Sequence, residues 1–383
     1  MKRIRLTLTL LLAAACGCST PKKQVRQIGE LPPGTFEVAW EADPKAKSVS
    51  AFYLVGDLLF VFDKSNTVTA FDFNGSLKFR ATVGEPGDVL GMPIVQPDRI
   101  LFPTTGTVEL WTKNGIKTRT VTLPQPVRSP GVAVGDIVYF GADSEQGGRL
   151  AAVDLSRPYN LNRWTVLTGL IGTKPAYVDG VLYCPTQDGR VYAINQDRTP
   201  LWPSGPEMKE GIFQTDGKII AALKADETGV FVPSTDTKLY CLNPGTGRIK
   251  WTYYAGASLS TSPSLTADMV YQYVEGTGLV ALVKKNPEPN AMPKWVLPEG
   301  VQLVADDGRY AYARTQSGSV VAVDRATGKV AFSTERSDLV RTVTTQDAKN
   351  PAAFALTRSG SLVCIRPVLK TGVVGELAML SQP

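Results

Sequence analysis

Histidine is missing altogether from the 383 residues. That excludes a serine–histidine–acid triad, a histidine-ligated zinc centre and the commonest general base at neutral pH. Cysteine is scarce, with five residues and no adjacent pair. Cys16 and Cys18 fall among the first twenty residues, which leaves Cys184, Cys241 and Cys364 for the body of the chain, none of them spaced as a metal or redox motif. No apolar run approaches the roughly 18 residues that a membrane-spanning helix needs. Helical periodicity is equally absent, because past the first residues nothing sustains a period of 3.6 over a dozen positions.

What is present begins with the address. "MKRIRLTLTLLLAAACGCST" has a basic head (Lys2, Arg3, Arg5) and a short apolar run from Leu6 to Ala15, followed by small residues and cysteine. This is the layout of a secretory signal, here residues 1–15, and it lies outside the fold. A cysteine at the cleavage position resembles the lipobox of bacterial lipoproteins, whose thiol is acylated. Cys16, preceded by three alanines, is the expected lipid attachment, with Cys18 as the alternative. Neither is followed by aspartate, and in the enterobacterial sorting rule that favours the outer membrane. Residues 16–35, polar with paired prolines, read as a tether. Removing the signal leaves 38 basic against 35 acidic residues, a net charge of +3. So balanced a chain gives no argument for nucleic acid or an anionic membrane surface.

Residues 36–383 carry one pattern eight times. Aligned on the apolar residue that opens a strand after a turn, the series is Val68, Val108, Leu150, Val191, Leu239, Leu279, Val320 and Leu362. Successive intervals are 40, 42, 41, 48, 40, 41 and 42 residues. The one long interval is accommodated by "PSGPEMKEGIFQTDG" as an inserted loop. Each unit consists of short runs rich in Val, Ile, Tyr and Phe, separated by Gly, Asp, Asn and Thr turns, so it is all strand. A sheet of three or four short strands cannot bury its two faces alone, whereas sheets packed around an axis cover one another. The sequence therefore predicts an all-β fold, a single eight-bladed β-propeller of four-stranded antiparallel blades.

Closure of that ring leaves a trace. Trp164, Trp202, Trp251 and Trp295 follow the aligned strand in their units, and Phe79 and Phe332 hold the same slot in units one and seven. The eighth unit has no aromatic there, while Trp40 in "TFEVAWEAD" precedes the first unit with nothing to belong to. The N-terminal strand is thus expected to complete the last blade and remove the open edge.

The unit is cleanest in "GSVVAVDRATGKVAF" (318–332) and "TKLYCLNPGTGRIKW" (237–251). It resembles the repeat of the PQQ-like (quinoprotein-type) β-propellers. With eight units and a lipobox, nearly the whole chain resembles the BamB family of outer-membrane assembly lipoproteins. That resemblance implies a non-catalytic scaffold on the periplasmic face of the outer membrane, docked on the β-barrel assembly machinery and monomeric outside that complex. In the family a Leu-x-Leu-Arg-Gly loop ahead of the fourth unit contacts the partner. The corresponding place here reads Thr168-Gly169-Leu170-Ile171-Gly172. Leu170 and Gly172 match and Ile171 replaces the arginine, so Leu170 and Ile171 are the candidate partner contacts.

The remaining motifs read as architecture. Asp72, Asp154, Asn195, Asn243 and Asp324 end the aligned strand and are placed to accept backbone N–H groups as Asx turns. "DRATG" and "NPGTG" lack clustered oxygen ligands and a following helix, so neither a metal nor a phosphate loop is assigned. Cys241 and Cys364 take the slot that Ala70, Ala152, Ala193, Ala281 and Ala322 fill elsewhere, and Cys184 lies one strand earlier. All three are expected as small core residues. A quinone-dependent dehydrogenase shares the repeat, but enzymes of that type resemble one another in a vicinal cysteine pair that this chain lacks. No catalytic residue, metal or cofactor is assigned. The surface insertions "DSEQGG", "PSGPEMKEGIFQTDG" and "KKNPEPNAMPK" are further candidates for partner contact, and the channel is open to a small molecule or cell-wall glycan.

Overall fold

The computed structural model describes residues 36–367 except 47, 86–87, 124, 145–146, 158–162, 205–208, 287, 335–337 and 346–351. The lipidation cysteines, the signal and the tether lie outside the described residues. Eight four-stranded antiparallel sheets account for the described strands. Blades 1 to 7 run in chain order from residues 49–82 to residues 300–333, and in each the four strands are sequential neighbours. The third strand of every blade contains the aligned apolar residue, and all eight of these residues are buried. Apart from one short 3-10 turn, Lys209–Gly211, no helix occurs among the described residues.

Burial explains why the strands show so little alternation. The second strand of blade 1, Leu58–Asp63, is buried at all six positions. Leu58, Phe60 and Phe62 pack with Ile100 and Phe102 of blade 2, while Leu59 and Val61 pack with Phe354 and Leu356 of blade 8. A strand with a neighbour on each face has no side left for water, so both parities are apolar. Each such side chain contributes about 1.5–3 kcal/mol by leaving solvent. First strands of adjacent blades touch one another, as in blades 4 and 5 or 7 and 8, which places them around the axis. Outermost strands such as Lys117–Thr122 are largely exposed.

The last blade joins the strands Leu339–Thr344, Ala353–Thr357 and Leu362–Pro367 to Phe36–Ala42 from the other end of the chain. Phe36 pairs with Pro367, Trp40 with Cys364 and Ala42 with Leu362. The ring is therefore completed by the N-terminal strand, with Trp40 in the aromatic slot of blade 8.

The same latch recurs from blade to blade. The indole N–H of Trp40 donates to the Phe73 carbonyl of blade 1 at 2.8 Å. Trp202 donates to Pro244 of blade 5 at 2.7 Å, Trp251 to Lys284 of blade 6 at 2.8 Å and Trp295 to Arg325 of blade 7 at 3.2 Å. In every case the acceptor is the fifth residue after the aligned apolar position of the next blade, one or two residues past its third strand. Blade 2 has no aromatic at this position, and the Arg119 guanidinium donates to Leu155 of blade 3 in its place. Phe79 and Phe332 carry no donor; Phe79 instead stacks on Trp111 of blade 2, 6.4 Å between ring centroids.

Two expectations need correction. "PSGPEMKEGIFQTDG" is not merely a loop, because Ile212–Gln214 within it forms the outermost strand of blade 4, with Phe213 opposite Val191. Trp202 sits outside that strand, just past the bridge of Pro200 to Ile194. The insertion thus interrupts the fourth strand. In blade 3 the register places Arg163, not Trp164, opposite Ala152.

Trp40 tests the closure. Trp40→Phe keeps a ring against Gly75, whose backbone at φ +78° leaves no room for a Cβ beneath the indole. It loses one donor, at a cost of about 1 kcal/mol. Trp40→Ala removes the packing as well and is expected to cost about 3 kcal/mol. Guanidinium unfolding midpoints read both values, and an unchanged midpoint for Trp40→Ala would rule out closure by this strand.

Candidate functional site

The Thr168–Gly172 segment leads from the outermost strand of blade 3 to the innermost strand of blade 4. Antiparallel order puts all such connections, and the turns between second and third strands, on one rim of the ring. Gly169 has φ +92°, and a Cβ there would lie 2.2 Å from the Asp188 carboxylate, so only glycine fits. The Leu170 carbonyl accepts the Gln187 N–H at 2.8 Å. Thr168 is tied to the Tyr192 hydroxyl through its N–H and its carbonyl, both at 3.1 Å. The segment is therefore clamped to blade 4 on both sides of Leu170.

The clamp separates the two candidate contacts. Leu170 is 42% exposed, whereas Ile171 is 1% exposed among Leu150, Leu182, Cys184 and Ile194 in the seam between blades 3 and 4. As folded, Ile171 offers nothing to a partner, since the position given to an arginine in the resembling family is here a core position. Other connections on this rim repeat the split, with Val89 72% and Ile220 46% exposed while Ile219 is buried. Beside the clamp a groove of about 270 Å³ opens along blade 4, lined by Leu167, Tyr192, Ile194, Arg198, Glu210 and Ile212.

The insertions differ in what they do. "DSEQGG" extends the hairpin of blade 3, where Asp143 pairs with Gly148 and Ser144 with Gly147. It lies beside the Leu170 segment, with Gly148 so close to the Gly169 carbonyl that a Cβ would sit 2.0 Å from it. "KKNPEPNAMPK" folds back on blade 5, where Thr252 donates to Pro289 and Ala291 donates to Thr252. It covers part of an outer strand edge that would otherwise offer unpaired backbone groups.

Among the described residues no cluster of three or more His, Cys, Asp or Glu could hold a metal ion. Cys184, Cys241 and Cys364 are free and buried. Burial pushes the Cys241 thiol up to about 12 and the Cys364 thiol to about 11, so neither supplies thiolate at neutral pH. The expected Asx turns form at Asp72, Asp154, Asn243 and Asp324, each accepting a backbone N–H two residues on. At Asn195 the side chain instead donates to Thr199, and Asp197 makes the turn.

Two buried ionic knots join blades. Lys284 pairs with Asp226 across blades 5 and 6. Burial alone would raise the Asp226 carboxyl, but the Lys284 ammonium helps hold it below the ordinary range. Between blades 6 and 7, Arg325 lies 3.0 Å from Asp306, which also accepts the Tyr271 hydroxyl at 2.7 Å. Sequence periodicity gives no signal for the Lys284–Asp226 and Tyr271–Asp306 contacts, because their partners belong to different units.

The model of the family described as outer membrane protein assembly factor BamB matches residues 187–372. No curated protein matches the chain in sequence. Among solved structures it is similar to BamB from Moraxella catarrhalis at 15% identity and a TM-score of 0.64, over 88% of this chain and 99% of that one. It is similar to the C-terminal WD40 domain of Sif2 at 12% identity and a TM-score of 0.63, over 87% and 99% of the two chains. The computationally designed Ika8 protein matches at 12% identity and a TM-score of 0.62, over 85% and 98%. Scores so close for such different proteins speak for the ring alone.

Leu170→Ala and Ile171→Ala separate surface from core. The first is expected within about 0.5 kcal/mol of the parent, and the second destabilised by about 2–5 kcal/mol. Chemical denaturation of both variants checks this, and equal losses would contradict the placement.

Proposed function

We propose that this chain, a PQQ-like β-propeller resembling BamB, is a non-catalytic scaffold that assists insertion of β-barrel proteins into the outer membrane. It is held on the periplasmic face through an acyl chain on Cys16, or on Cys18 as the alternative. Its action is one of shape: a rigid ring holds the connections of one rim in fixed positions, so that a partner meets a preformed surface. The observation that carries the reading is Leu170, exposed on a clamped segment at the place where the resembling family docks. A groove of about 270 Å³ that includes Leu167 and Tyr192 lies beside the clamped segment. The barrel-inserting component of the assembly machinery is the proposed partner.

Crosslinking in the envelope followed by affinity capture tests this. The scaffold reading expects recovery of a barrel-inserting outer-membrane protein. Leu170→Glu is expected to cut that recovery at least tenfold, a loss of about 1.4 kcal/mol or more, with no change in melting temperature. Capture that returns no outer-membrane protein would sink the reading. Mass spectrometry of the mature N-terminal peptide assigns the acyl chain to Cys16 or Cys18, and an unmodified peptide removes the anchor.

A further inference from the structure

A cavity of about 390 Å³ lies on the inner side of blades 5, 6 and 7. Its wall includes Lys224 from the innermost strand of blade 5, Ser262 ahead of blade 6, and Gln302 and Arg314 from blade 7. No acidic residue lines it. The Lys224 ammonium and the Arg314 guanidinium have no ion-pair or hydrogen-bond partner among the described residues, and Arg314 Nε is buried without an acceptor. Asp306, bonded by Tyr271 of the same wall, is already paired with Arg325.

Elsewhere in the ring, Lys284 and Arg325, with side chains 3% and 13% exposed, are neutralised. Lys284 has Asp226 and Arg325 has Asp306. A cation withdrawn from water without a counter-charge costs several kcal/mol. Arg314, half-buried with its Nε enclosed and unpaired, is a structural liability unless something in the cavity compensates it, and the exposed Lys224 beside it adds a second charge without a counter-ion. We propose that this cavity binds a small oxyanion-bearing molecule, a carboxylate or a phosphate ester, with Arg314 as a forked donor, Lys224 as a point charge and the Ser262 hydroxyl as a further donor. A volume of about 390 Å³ admits a compact metabolite.

The environment of a third cation agrees. Lys174, on the connection into blade 4, has its ammonium pushed down by burial and then by the charge of Lys224. Burial alone pushes Arg314 down. No carboxylate offsets any of the three. Basic side chains gathered in this way favour an anion both by direct contact and through the field they sum to. The site faces the inside of the ring and makes no use of Leu170, so it stands or falls separately from the docking reading.

Calorimetry and thermal unfolding of the full-length chain, titrated with citrate and in parallel with pyrophosphate, test the proposal. Saturable binding of at least one anion is expected, with a rise in melting temperature. Citrate alone would mark a carboxylate ligand and pyrophosphate alone a phosphate. Lys224→Gln and Arg314→Gln are each expected to weaken binding at least tenfold, while Lys64→Gln, an equal change of charge at an exposed position, leaves it unchanged. In anion-free buffer Lys224→Gln should melt no lower than the parent, because it removes an uncompensated charge. Failure of both anions to saturate would overturn the site. Equal binding by the Lys224→Gln and Lys64→Gln variants would also overturn it, leaving an adventitious ion only.

Discussion

A four-stranded sheet with two apolar faces cannot exist alone in water, and the molecule is organised around that constraint. Each blade is covered by its neighbours, and a hydrogen bond at a fixed place ties five of the successive pairs among the described residues. The donor comes from the outermost strand of one blade or the turn beside it, and the acceptor is the carbonyl just past the third strand of the next. Trp40, Trp202, Trp251 and Trp295 supply an indole N–H for this bond, and Arg119 supplies a guanidinium. An indole suits the place because its ring fills the seam while its one donor reaches a backbone acceptor that would otherwise be buried unpaired. Closing the ring requires nothing new: Trp40 performs for blades 8 and 1 what Trp251 performs for blades 5 and 6.

Much of this was legible in the sequence because the repeat carries it. The eight aligned apolar positions marked the third strands, and the unclaimed Trp40 pointed to closure from the N-terminus. What stayed hidden depends on partners from different units. Arg119 as a latch has no local signature, since its acceptor lies 36 residues away in another blade. The outermost strand of blade 4 was read as insertion because its three residues, Ile212–Gln214, are too few to show a period. The division between Leu170 and Ile171 was equally invisible. Both are apolar, and only the clamp by Gln187 and Tyr192 decides which one faces solvent.

The ring thus has two surfaces of different character. One rim holds exposed apolar side chains on rigid connections, suited to a protein partner whose own apolar surface completes the burial. The inner side of blades 5 to 7 holds uncompensated cations in a space too small for a protein. The same rigidity serves both, because a latched ring positions surface leucines and interior cations without conformational change. Function on this scaffold is local, set by particular side chains on the ring and not by the ring itself.

Closure by the N-terminal strand is the claim on which rigidity, and with it both surfaces, depends. Native-state hydrogen exchange tests it most directly. The hydrogen-bonded amides of Phe36–Ala42 and of Leu362–Pro367, paired along the ladder from Phe36–Pro367 to Ala42–Leu362, are predicted to be protected as strongly as those of the outer strand Ile249–Tyr254 in blade 5. Exchange of the Phe36–Ala42 amides at the rate of an unstructured peptide, with blade 5 still protected, would contradict the account.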